Sequence, residues 1–233
     1  MSFSTPLGSL SGVIGPNGAG KSTLFALISG FQASDLGEVT FAGQRLDGLS
    51  ADQRARQGLA RTFQVPRPFA HLTVRENLAV GAQGQAGEGL FNALFRGGLV
   101  RRQERRIFER VDGVIDFLKL GAVATAPAGR LSGGQRKLLE LGRALMMEPK
   151  FILLDEPFAG VNPVLIDEIS DRIKAANARG VGFLIVEHNL SSLARLVDRM
   201  LVMDRGRLLA DGAPDEVLDD KSVQEAYMGG VVA

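Results

Sequence analysis

The stretch Gly15-Pro16-Asn17-Gly18-Ala19-Gly20-Lys21-Ser22 decides the fold of this chain. It fits the pattern G-x-x-x-x-G-K-[ST] at every fixed position. The stretch at residues 9–14 has strand length and runs directly into it, and the stretch at residues 23–29 follows it and ends at Gly30. We therefore predict a buried strand, a glycine loop and a helix in that order, which is the arrangement in which such a loop binds phosphate.

The residue types in this loop are those that a nucleotide phosphate site requires. Glycines let consecutive backbone N–H groups converge on phosphate oxygens, and the start of the helix adds a favourable dipole. Lys21 supplies a positive charge for the β- and γ-phosphates, and the Ser22 hydroxyl can ligate Mg²⁺. The alternative is a glycine-rich loop that binds no ligand, and the Lys-Ser pair in register after a strand argues against it.

Two acidic residues, Asp155 and Glu156, follow the apolar run at residues 151–154. Asp155 is placed to hold Mg²⁺ through a water molecule. Glu156 is then placed beside the γ-phosphate, where an attacking water must be oriented and deprotonated. Taken alone, two acids at the end of an apolar strand also fit a solvated strand end, but the phosphate loop in the same chain favours the catalytic interpretation.

The remaining pattern is that of an α/β protein. The apolar runs at residues 151–154 and 181–186 are separated by an amphipathic stretch at residues 164–178, which predicts a β-α-β unit within a parallel sheet. We also expect a hairpin over residues 200–210, followed by a helix from Pro214. Two short strands are expected around residues 38–41 and Arg45, so the predicted class is α/β with a mainly parallel sheet and a reduced antiparallel part.

From residue 65 onward, the middle of the chain has a different sequence pattern. Residues 65–68 contain two prolines and must be extended, because a residue that precedes proline is pushed out of the helical region. Thr73 and Glu76 have capping-box spacing, so a helix is expected from Val74. Residues 83–99 are rich in glycine and are expected to form a loop.

Residues 96–110 carry six arginines and two glutamates, and helical spacing continues over residues 111–120. A solvated helix face is the simple interpretation of the arginines, and contact with a membrane surface or an acidic partner is the alternative. We predict one domain over residues 1–230, in which residues 65–149 form a helical subdomain and residues 1–64 and 150–230 form the core.

Composition excludes several classes of protein. The 233 residues include 27 Lys and Arg against 26 Asp and Glu, so a net charge of +1 gives no electrostatic reason to expect nucleic acid as a partner. The absence of cysteine excludes disulfides, thiolate metal sites and thiol catalysis. No secretory leader is visible, and no run approaches the ~18 apolar residues of a membrane-spanning helix, so a soluble cytoplasmic protein is predicted.

A second motif, Leu131-Ser132-Gly133-Gly134-Gln135, identifies a family. With it, the chain resembles the ATPase subunit of ABC transporters from about Gly8 to the C-terminus. Ser132 can cap a helix over residues 133–147, whose exposed N–H groups form an anion site. The resemblance implies that this helix start faces the γ-phosphate of an ATP held by a second ATPase subunit, with contacts from Ser132, Gly133, Gly134 and Gln135.

The resemblance also assigns the remaining site residues. ATP is expected to contact Gly15, Pro16, Asn17, Gly18, Ala19, Gly20, Lys21, Ser22 and Thr23. Ser22, Gln64 and Asp155 are the expected Mg²⁺ ligands. Lys21, Gln64, Glu156 and His188 are the expected catalytic group, although an isolated glutamine or histidine is more often structural.

Asn162 departs from the family pattern. It lies in Ala159-Gly160-Val161-Asn162-Pro163, at a position that many relatives fill with aspartate. The missing negative charge is expected to affect how strongly the two ATP sites of a dimer couple through this loop. It leaves the expectation of ATP binding unchanged.

A narrower resemblance involves residues 61–80, residues 158–163 and the ending at residues 223–229. These segments, with the insertion at residues 83–110, are similar to importers of branched-chain, hydrophobic amino acids and to their relatives for urea or short amides. Nothing in the chemistry of these residues distinguishes leucine from urea. The expected function is an ATPase that powers uptake of branched-chain or other hydrophobic amino acids, and another solute is the alternative.

Relatives carry an upstream stretch with two strands and an aromatic residue that stacks on adenine. Only fourteen residues precede Gly15 here, and Phe3 aligns with a later strand position. We therefore expect a truncated N-terminus, and no residue of this sequence is assigned to stack on adenine.

The resemblance implies ATP and Mg²⁺ as cofactors and a place on the inner face of the cell membrane. The expected partners are a second ATPase subunit, identical or different, transmembrane permease subunits and, indirectly, a periplasmic solute-binding protein. Nucleic acid is not expected, because chromosome-associated ABC ATPases usually carry a coiled coil or extra domain between their halves. A nucleotide-dependent binding module with little turnover stays open, whereas a GTPase is disfavoured because no Asn-Lys-x-Asp motif occurs.

Overall fold

The computed structural model describes residues 1–62, 67–85 and 97–229, with side chains up to residue 227. Contacts divide the chain into two compact units. The core unit comprises residues 1–64 and 150–233, and the helical unit comprises residues 65–149. Each unit is described by itself.

The described residues form eight strands: β1 Leu10–Ile14, β2 Thr40–Phe41, β3 Gln44–Arg45, β4 Leu59–Arg61, β5 Phe151–Asp155, β6 Gly182–Val186, β7 Arg199–Asp204 and β8 Arg207–Gly212. Six of them form one sheet in the order β4-β5-β6-β1-β7-β8. Its first five strands pair in parallel, and β8 pairs antiparallel to β7. The predicted α/β class with a mainly parallel sheet is confirmed.

The described helices are α1 Lys21–Ser29, α2 Ala51–Arg56, α3 Val74–Val80, α4 Gly97–Phe117, α5 Gly133–Met146, α6 Pro163–Asn177, α7 Leu190–Ala194, α8 Pro214–Asp219 and α9 Lys221–Gly229. Short 3₁₀ turns lie at Gly121–Val123 and Ala128–Arg130. The predicted helices after the phosphate loop, between β5 and β6 and from Pro214 are confirmed. The short elements α2, α7 and β4 were not predicted, because three to six residues carry little periodic signal.

The reduced antiparallel part is the two-stranded sheet of β2 and β3. Ala42 and Gly43 connect the strands, with φ values of 50° and 79°. Two successive left-handed residues form the tight hairpin turn whose twist matches that of the paired strands. The predicted pair of short strands is confirmed.

Alternate residues of the central strands form the apolar core. Successive strand residues point to opposite faces of a sheet, so every second residue shares a face. One buried cluster contains Val13, Phe151, Leu153, Leu184, Val186, Leu201 and Met203 from the strands, with Phe25 of α1 packed against them. Burying each such side chain contributes roughly 1.5–3 kcal/mol, which is what holds α1 against the sheet.

An asparagine side chain forms hydrogen bonds at each end of helix α6. The Asn162 Oδ1 accepts a hydrogen bond from the Leu165 N–H at 3.0 Å, and proline occupies the first helical turn. At the other end, the Asn177 side chain donates to the carbonyl of Gly8 at 2.7 Å. The departure from aspartate at Asn162 therefore retains a good helix cap.

In the helical unit, α3, α4 and α5 pack against one another. The predicted capping box is present, since the Thr73 N–H donates to Glu76 at 2.7 Å and the Glu76 N–H donates back to the Thr73 hydroxyl at 3.1 Å. Val74, Leu78 and Val111 are fully buried between these helices. The helix predicted from Val74 is confirmed.

The loop predicted over residues 83–99 is wrong at its end, because α4 begins at Gly97. A buried stripe that contains Val111 and Ile115 anchors the helix and outweighs the poor helix propensity of its first two glycines. Residues 86–96 lie outside the described residues. Arg101, Arg102, Arg105 and Arg106 are exposed, which agrees with a solvated helix face.

No helix within the described ranges is both long enough and apolar enough to cross a membrane.

Candidate functional site

The loop after β1 requires glycine at its first position. Gly15 has a φ of +151°, in the region that L-residues rarely adopt. A Cβ atom there would lie 2.1 Å from the carbonyl oxygen of Met203 in β7. The close approach of β7 thus excludes any side chain, which explains the residue type without reference to a ligand.

The helix that follows is open at its start. Gly20 precedes α1 with a φ of 100°, and no side chain caps the helix. Ser22 and Thr23 are exposed in the first turn, as are Asn17 and Gly18 in the loop. Uncapped N–H groups and the positive end of the helix dipole are the features that bind an anion.

The side chain of Lys21 forms hydrogen bonds to the first two residues of the loop. Its ammonium donates to the carbonyl oxygens of Gly15 at 2.6 Å and Pro16 at 3.0 Å. Burial lowers the pKa of Lys21, and the negative charge of Glu156 partly offsets that decrease. The phosphate loop and the predicted catalytic acid are therefore within electrostatic reach of each other.

Asp155 is the last residue of β5 and is buried. Its Oδ2 accepts a hydrogen bond from Arg61 at 3.1 Å, and its N–H donates to the Thr62 hydroxyl at 3.3 Å. Arg61 is held in turn by the Ser29 hydroxyl at 3.0 Å. A buried carboxylate is stable here because a charged partner and a hydrogen bond compensate its desolvation.

Arg61 is a site residue to which the sequence alone assigned no role. It entered the sequence analysis only as the first residue of the segment 61–80. Its guanidinium lies 5.7 Å from the ring centroids of both Phe25 and Phe31, so two aromatic faces orient it toward Asp155. It lies on a strand of three residues, β4, whose pattern is too short to be recognised.

Glu156 and His188 form the second polar pair of the site. The Oε1 of Glu156 lies 3.2 Å from the Nε2 of His188. Glu156 has a φ of 48°, an unfavourable backbone conformation for this residue type, and its N–H donates to the Val186 carbonyl at 2.9 Å. Because β5 and β6 are adjacent and parallel, the residues that follow them meet at the same edge of the sheet.

Two predicted Mg²⁺ ligands are described, the exposed Ser22 and the buried Asp155, whereas Gln64 lies outside the described residues. A hydroxyl and a carboxylate suit Mg²⁺, which uses few protein ligands and keeps water and phosphate oxygens. Among the described residues, no group of three or more His, Asp or Glu could hold a metal ion. The donor set thus fits a metal that arrives with a nucleotide.

The second predicted anion site begins α5 in the helical unit. Ser132 caps this helix, its hydroxyl accepting from the Gln135 N–H at 3.3 Å. The Gln135 side chain accepts from the Ser132 N–H at 3.0 Å, which completes a capping box. Gly133 is exposed in the first turn, whereas Gly134 is buried.

Tyr227, the only tyrosine of the chain, was not assigned from sequence. Burial raises the pKa of its phenol, and a hydrogen bond with the backbone of Gly15 partly offsets that rise. The C-terminal helix thereby contacts the first residue of the phosphate loop.

A cavity of about 850 Å³ in the core unit lies apart from these residues. Phe3, Leu24, Leu36 and Phe41 contribute to its lining, and none of residues 15–23 does. Its size alone does not make it the candidate site, because no titratable pair or anion-binding backbone accompanies it.

Comparison with protein families gives two matches. Residues 1–159 match the family described as "ABC transporter". Residues 207–233 match the family described as "Branched-chain amino acid ATP-binding cassette transporter".

Curated relatives are similar over nearly the whole chain. A "Probable branched-chain amino acid transport ATP-binding protein LivG" from Methanocaldococcus jannaschii is 40% identical over 233 residues, covering 98% of this chain and 90% of the relative. A protein with the same description from Archaeoglobus fulgidus is 40% identical over 222 residues, covering 95% and 85%. A "High-affinity branched-chain amino acid transport ATP-binding protein LivG" from Escherichia coli K12 is 35% identical over 218 residues, covering 93% and 86%.

Solved structures of ATP-binding cassettes are similar to this chain over most of its length. The crystal structure of a nucleotide-free ATP-binding cassette from an ABC transporter matches with a TM-score of 0.81 and 39% identity, covering 94% of this chain and 87% of that one. The crystal structure of the ADP conformation of an ATP-binding cassette matches with a TM-score of 0.80 and 38% identity, covering 95% and 88%. The predicted fold is the one these cassettes share.

Proposed function

This chain belongs to the ABC transporter family as an ATP-binding, ATP-hydrolysing subunit, and from that premise we propose how its residues act and what its transporter carries. The observation that carries the proposal is the contact between Glu156 and His188, 3.2 Å apart, at the sheet edge where Lys21 closes the phosphate loop. Phosphate binding and water activation require groups of these types close together.

The loop Gly15–Ser22, with Thr23, binds the phosphates of ATP. The uncapped N–H groups at the start of α1 donate to phosphate oxygens, and the Lys21 ammonium exchanges its carbonyl partners for the β- and γ-phosphates. Such an exchange costs little, because Lys21 is already buried and oriented. A negative phosphate would also raise the lowered pKa of Lys21 back toward its ordinary value.

Ser22 and Asp155 would hold Mg²⁺ together with Gln64. The metal supplies positive charge that offsets the developing charge on the phosphate oxygens. Arg61, which pairs with Asp155 at 3.1 Å, holds this carboxylate in place.

Glu156 orients and deprotonates the attacking water, and His188 contacts the γ-phosphate. A carboxylate with an exposed fraction of 18% reaches water while a histidine fixes its direction. The strained backbone at Glu156 is typical of functional positions, where the surrounding structure enforces a conformation the residue does not favour.

We propose that a second ATPase subunit completes the site. The core unit offers donors to one side of the γ-phosphate, and the backbone N–H groups of Gly133 and Gly134, beside Ser132, are donors of the right kind for its open side. The identical or closely similar partner would present these residues in trans. ATP then joins two subunits, and hydrolysis releases them.

Transmembrane permease subunits are the proposed mechanical partners, with a periplasmic solute-binding protein acting through them. Phe69 supports a docking surface at residues 67–72, since this apolar residue is 48% exposed. The Asn77 side chain accepts from the backbone N–H of Phe69 at 2.9 Å, and the Arg143 guanidinium lies 5.2 Å from the centroid of the Phe69 ring. The protein would thus lie on the cytoplasmic face of the membrane.

The proposed solute is a branched-chain or other hydrophobic amino acid. This rests on the match at residues 207–233 and on the descriptions of the relatives, which name branched-chain amino acid transport. Urea or a short amide is the alternative. Uptake of labelled leucine and labelled urea into vesicles that contain a cognate permease distinguishes them, and urea uptake alone would overturn the assignment.

Phosphate release from ATP with Mg²⁺ tests the ATPase mechanism. Glu156→Gln retains the shape of the side chain but removes the base, so we expect hydrolysis to fall by about 10²–10⁴-fold while ATP binding persists. Glu38→Gln, an exposed change of the same chemistry, is the matched control. Light scattering should detect an ATP-bound dimer of Glu156→Gln, and a monomer at high concentration with a cognate partner present would contradict the two-subunit site.

A further inference from the structure

A buried carboxylate that has no role in the proposed chemistry lies beside the site. Glu187 follows the last residue of β6 and is 3% exposed. Burial raises its pKa, and hydrogen bonds from three backbone N–H groups partly offset that rise. Burying an acid is expensive, so its retention requires an explanation in the contacts it makes.

The two carboxylate oxygens of Glu187 bind two different loops. Oε1 accepts from the Phe158 N–H at 2.6 Å, in the loop after β5. Oε2 accepts from the N–H groups of His188 at 3.0 Å and Asn189 at 3.4 Å, in the loop after β6. One side chain therefore joins the backbones of both loops.

These are the loops that carry the polar pair of the site. Glu156 lies two residues before Phe158, and His188 is itself one of the donors to Glu187. The side chains of Glu156 and His188 are 3.2 Å apart, a separation that depends on how the two loops are spaced. The Glu187 carboxylate joins the backbones of these same two loops.

We propose that Glu187 is a positioning residue for ATP hydrolysis, which clamps the loops after β5 and β6 so that Glu156 and His188 meet in productive geometry. The inference rests on the proposed function of those two residues. Glu187 does not itself touch ATP, and its effect passes through the backbone of His188 and Phe158.

The clamp requires a carboxylate. An ionised carboxylate accepts on both oxygens, whereas the amide of glutamine accepts on one atom and only donates from the other. In Glu187→Gln, one of the two loops would therefore face a donor instead of an acceptor. Its backbone N–H loses its partner, and that loop is free to move.

Steady-state phosphate release by Glu187→Gln over a range of ATP concentrations tests the proposal, because small displacements of catalytic groups cost large factors in rate. We expect kcat to fall by about ten- to hundredfold. The KM for ATP should stay within about twofold, since the phosphate loop is untouched. Glu38→Gln serves as the control of the same chemistry at an exposed position and should retain the wild-type rate.

A double-mutant cycle with His188→Ala separates positioning from general loss of structure. If Glu187 acts through His188, Glu187→Gln should cost less than about twofold in the His188→Ala background. Multiplicative losses in the double variant would overturn the proposal, as would a kcat of Glu187→Gln equal to that of the wild type. Wild-type protein that releases no phosphate would instead contradict the proposed function itself.

Glu187→Asp covers the case in which the glutamine variant does not fold. It keeps the charge but is one methylene shorter, so it cannot reach Phe158 and His188 together. We expect a lower kcat with the KM retained. A wild-type kcat for this variant would show that spanning both loops is unnecessary and would overturn the clamp.

Discussion

The helices α1 and α5 begin in opposite ways, although both are proposed to bind the phosphates of ATP. Helix α1 starts after Gly20 with no side-chain cap. Helix α5 starts with the reciprocal hydrogen bonds of Ser132 and Gln135, at 3.3 and 3.0 Å. The start of α1 leaves its backbone N–H groups available to a ligand. The start of α5 already binds some of its backbone N–H groups through the side chains of Ser132 and Gln135.

This difference suggests a division of labour. An open helix start with a buried lysine can hold a phosphate on its own, because charge and donors converge on one side. The capped start of α5 has no charged side chain to attract a phosphate. It can therefore donate to a phosphate only through the N–H groups that the capping box does not already bind. The α1 start should therefore determine affinity for ATP, and the α5 start should act only once ATP is already bound.

Removing the charge at the open start should have the largest effect. In Lys21→Ala we expect hydrolysis to fall by about 10²–10³-fold and ATP affinity to fall with it, because no other cation of the loop replaces the ammonium. Titration calorimetry with ATP measures the affinity. Unchanged affinity would show that the open start binds phosphate without its lysine and would break the comparison.

Blocking the capped start should abolish turnover with little effect on affinity. Ser132→Arg puts a bulky side chain at the proposed interface, so we expect hydrolysis to fall by about 10²-fold, comparable to loss of an oxyanion donor. ATP binding to the monomer should stay within about twofold. A large loss of affinity in the isolated subunit would mean that α5 contributes to binding in the same chain.

Removing only the cap of α5 separates its structural and functional contributions. Ser132→Ala should destabilise the protein by about 1 kcal/mol, the usual cost of losing an N-cap side chain. Thr73→Ala removes the equivalent cap of α3 and is the matched control. Thermal unfolding should give similar decreases for both variants, and a much smaller loss for Ser132→Ala would show that its cap contributes little to stability.

An ion pair between two strands of the core unit should give the smallest effect, which provides a scale for the other predictions. Arg199 binds Asp211 through two hydrogen bonds of 2.6 Å and lowers the pKa of Asp211 below its ordinary 3.8. The stabilisation is complete well above pH 3.8 and is lost as the pH falls through the lowered value. Because about a third of each side chain is exposed, solvent screens the pair to less than about 1 kcal/mol.

Thermal unfolding of the wild type and Asp211→Asn at pH 7 and pH 2.5 measures this contribution. We expect a small gap in unfolding temperature between the two proteins at pH 7 and a narrower gap at the acid end, because the stabilisation is lost as the pH falls through the lowered pKa of Asp211. Added salt should also reduce the gap at pH 7. A gap of equal size at both pH values would assign the stabilisation to packing and not to charge.

Local patterns made much of the fold predictable. The phosphate loop, the buried strands β5 and β6 and the capping boxes at Thr73 and Ser132 each depend on residues within a few positions of one another. The three-residue strand β4 and the start of α4 at Gly97 were missed, since β4 is too short and two glycines at Gly97 favour a loop. Their conformations come from packing.

The sequence by itself determined the residue types of the site, and the tertiary structure decided which of them meet. Arg61 pairs with Asp155 because β4 lies beside β5, and Glu156 meets His188 because Asp155 is in register with Val186. These contacts join residues that are 94 and 32 positions apart. Local propensity carries no information about such contacts, because strand order and register arise from burial of the whole sheet.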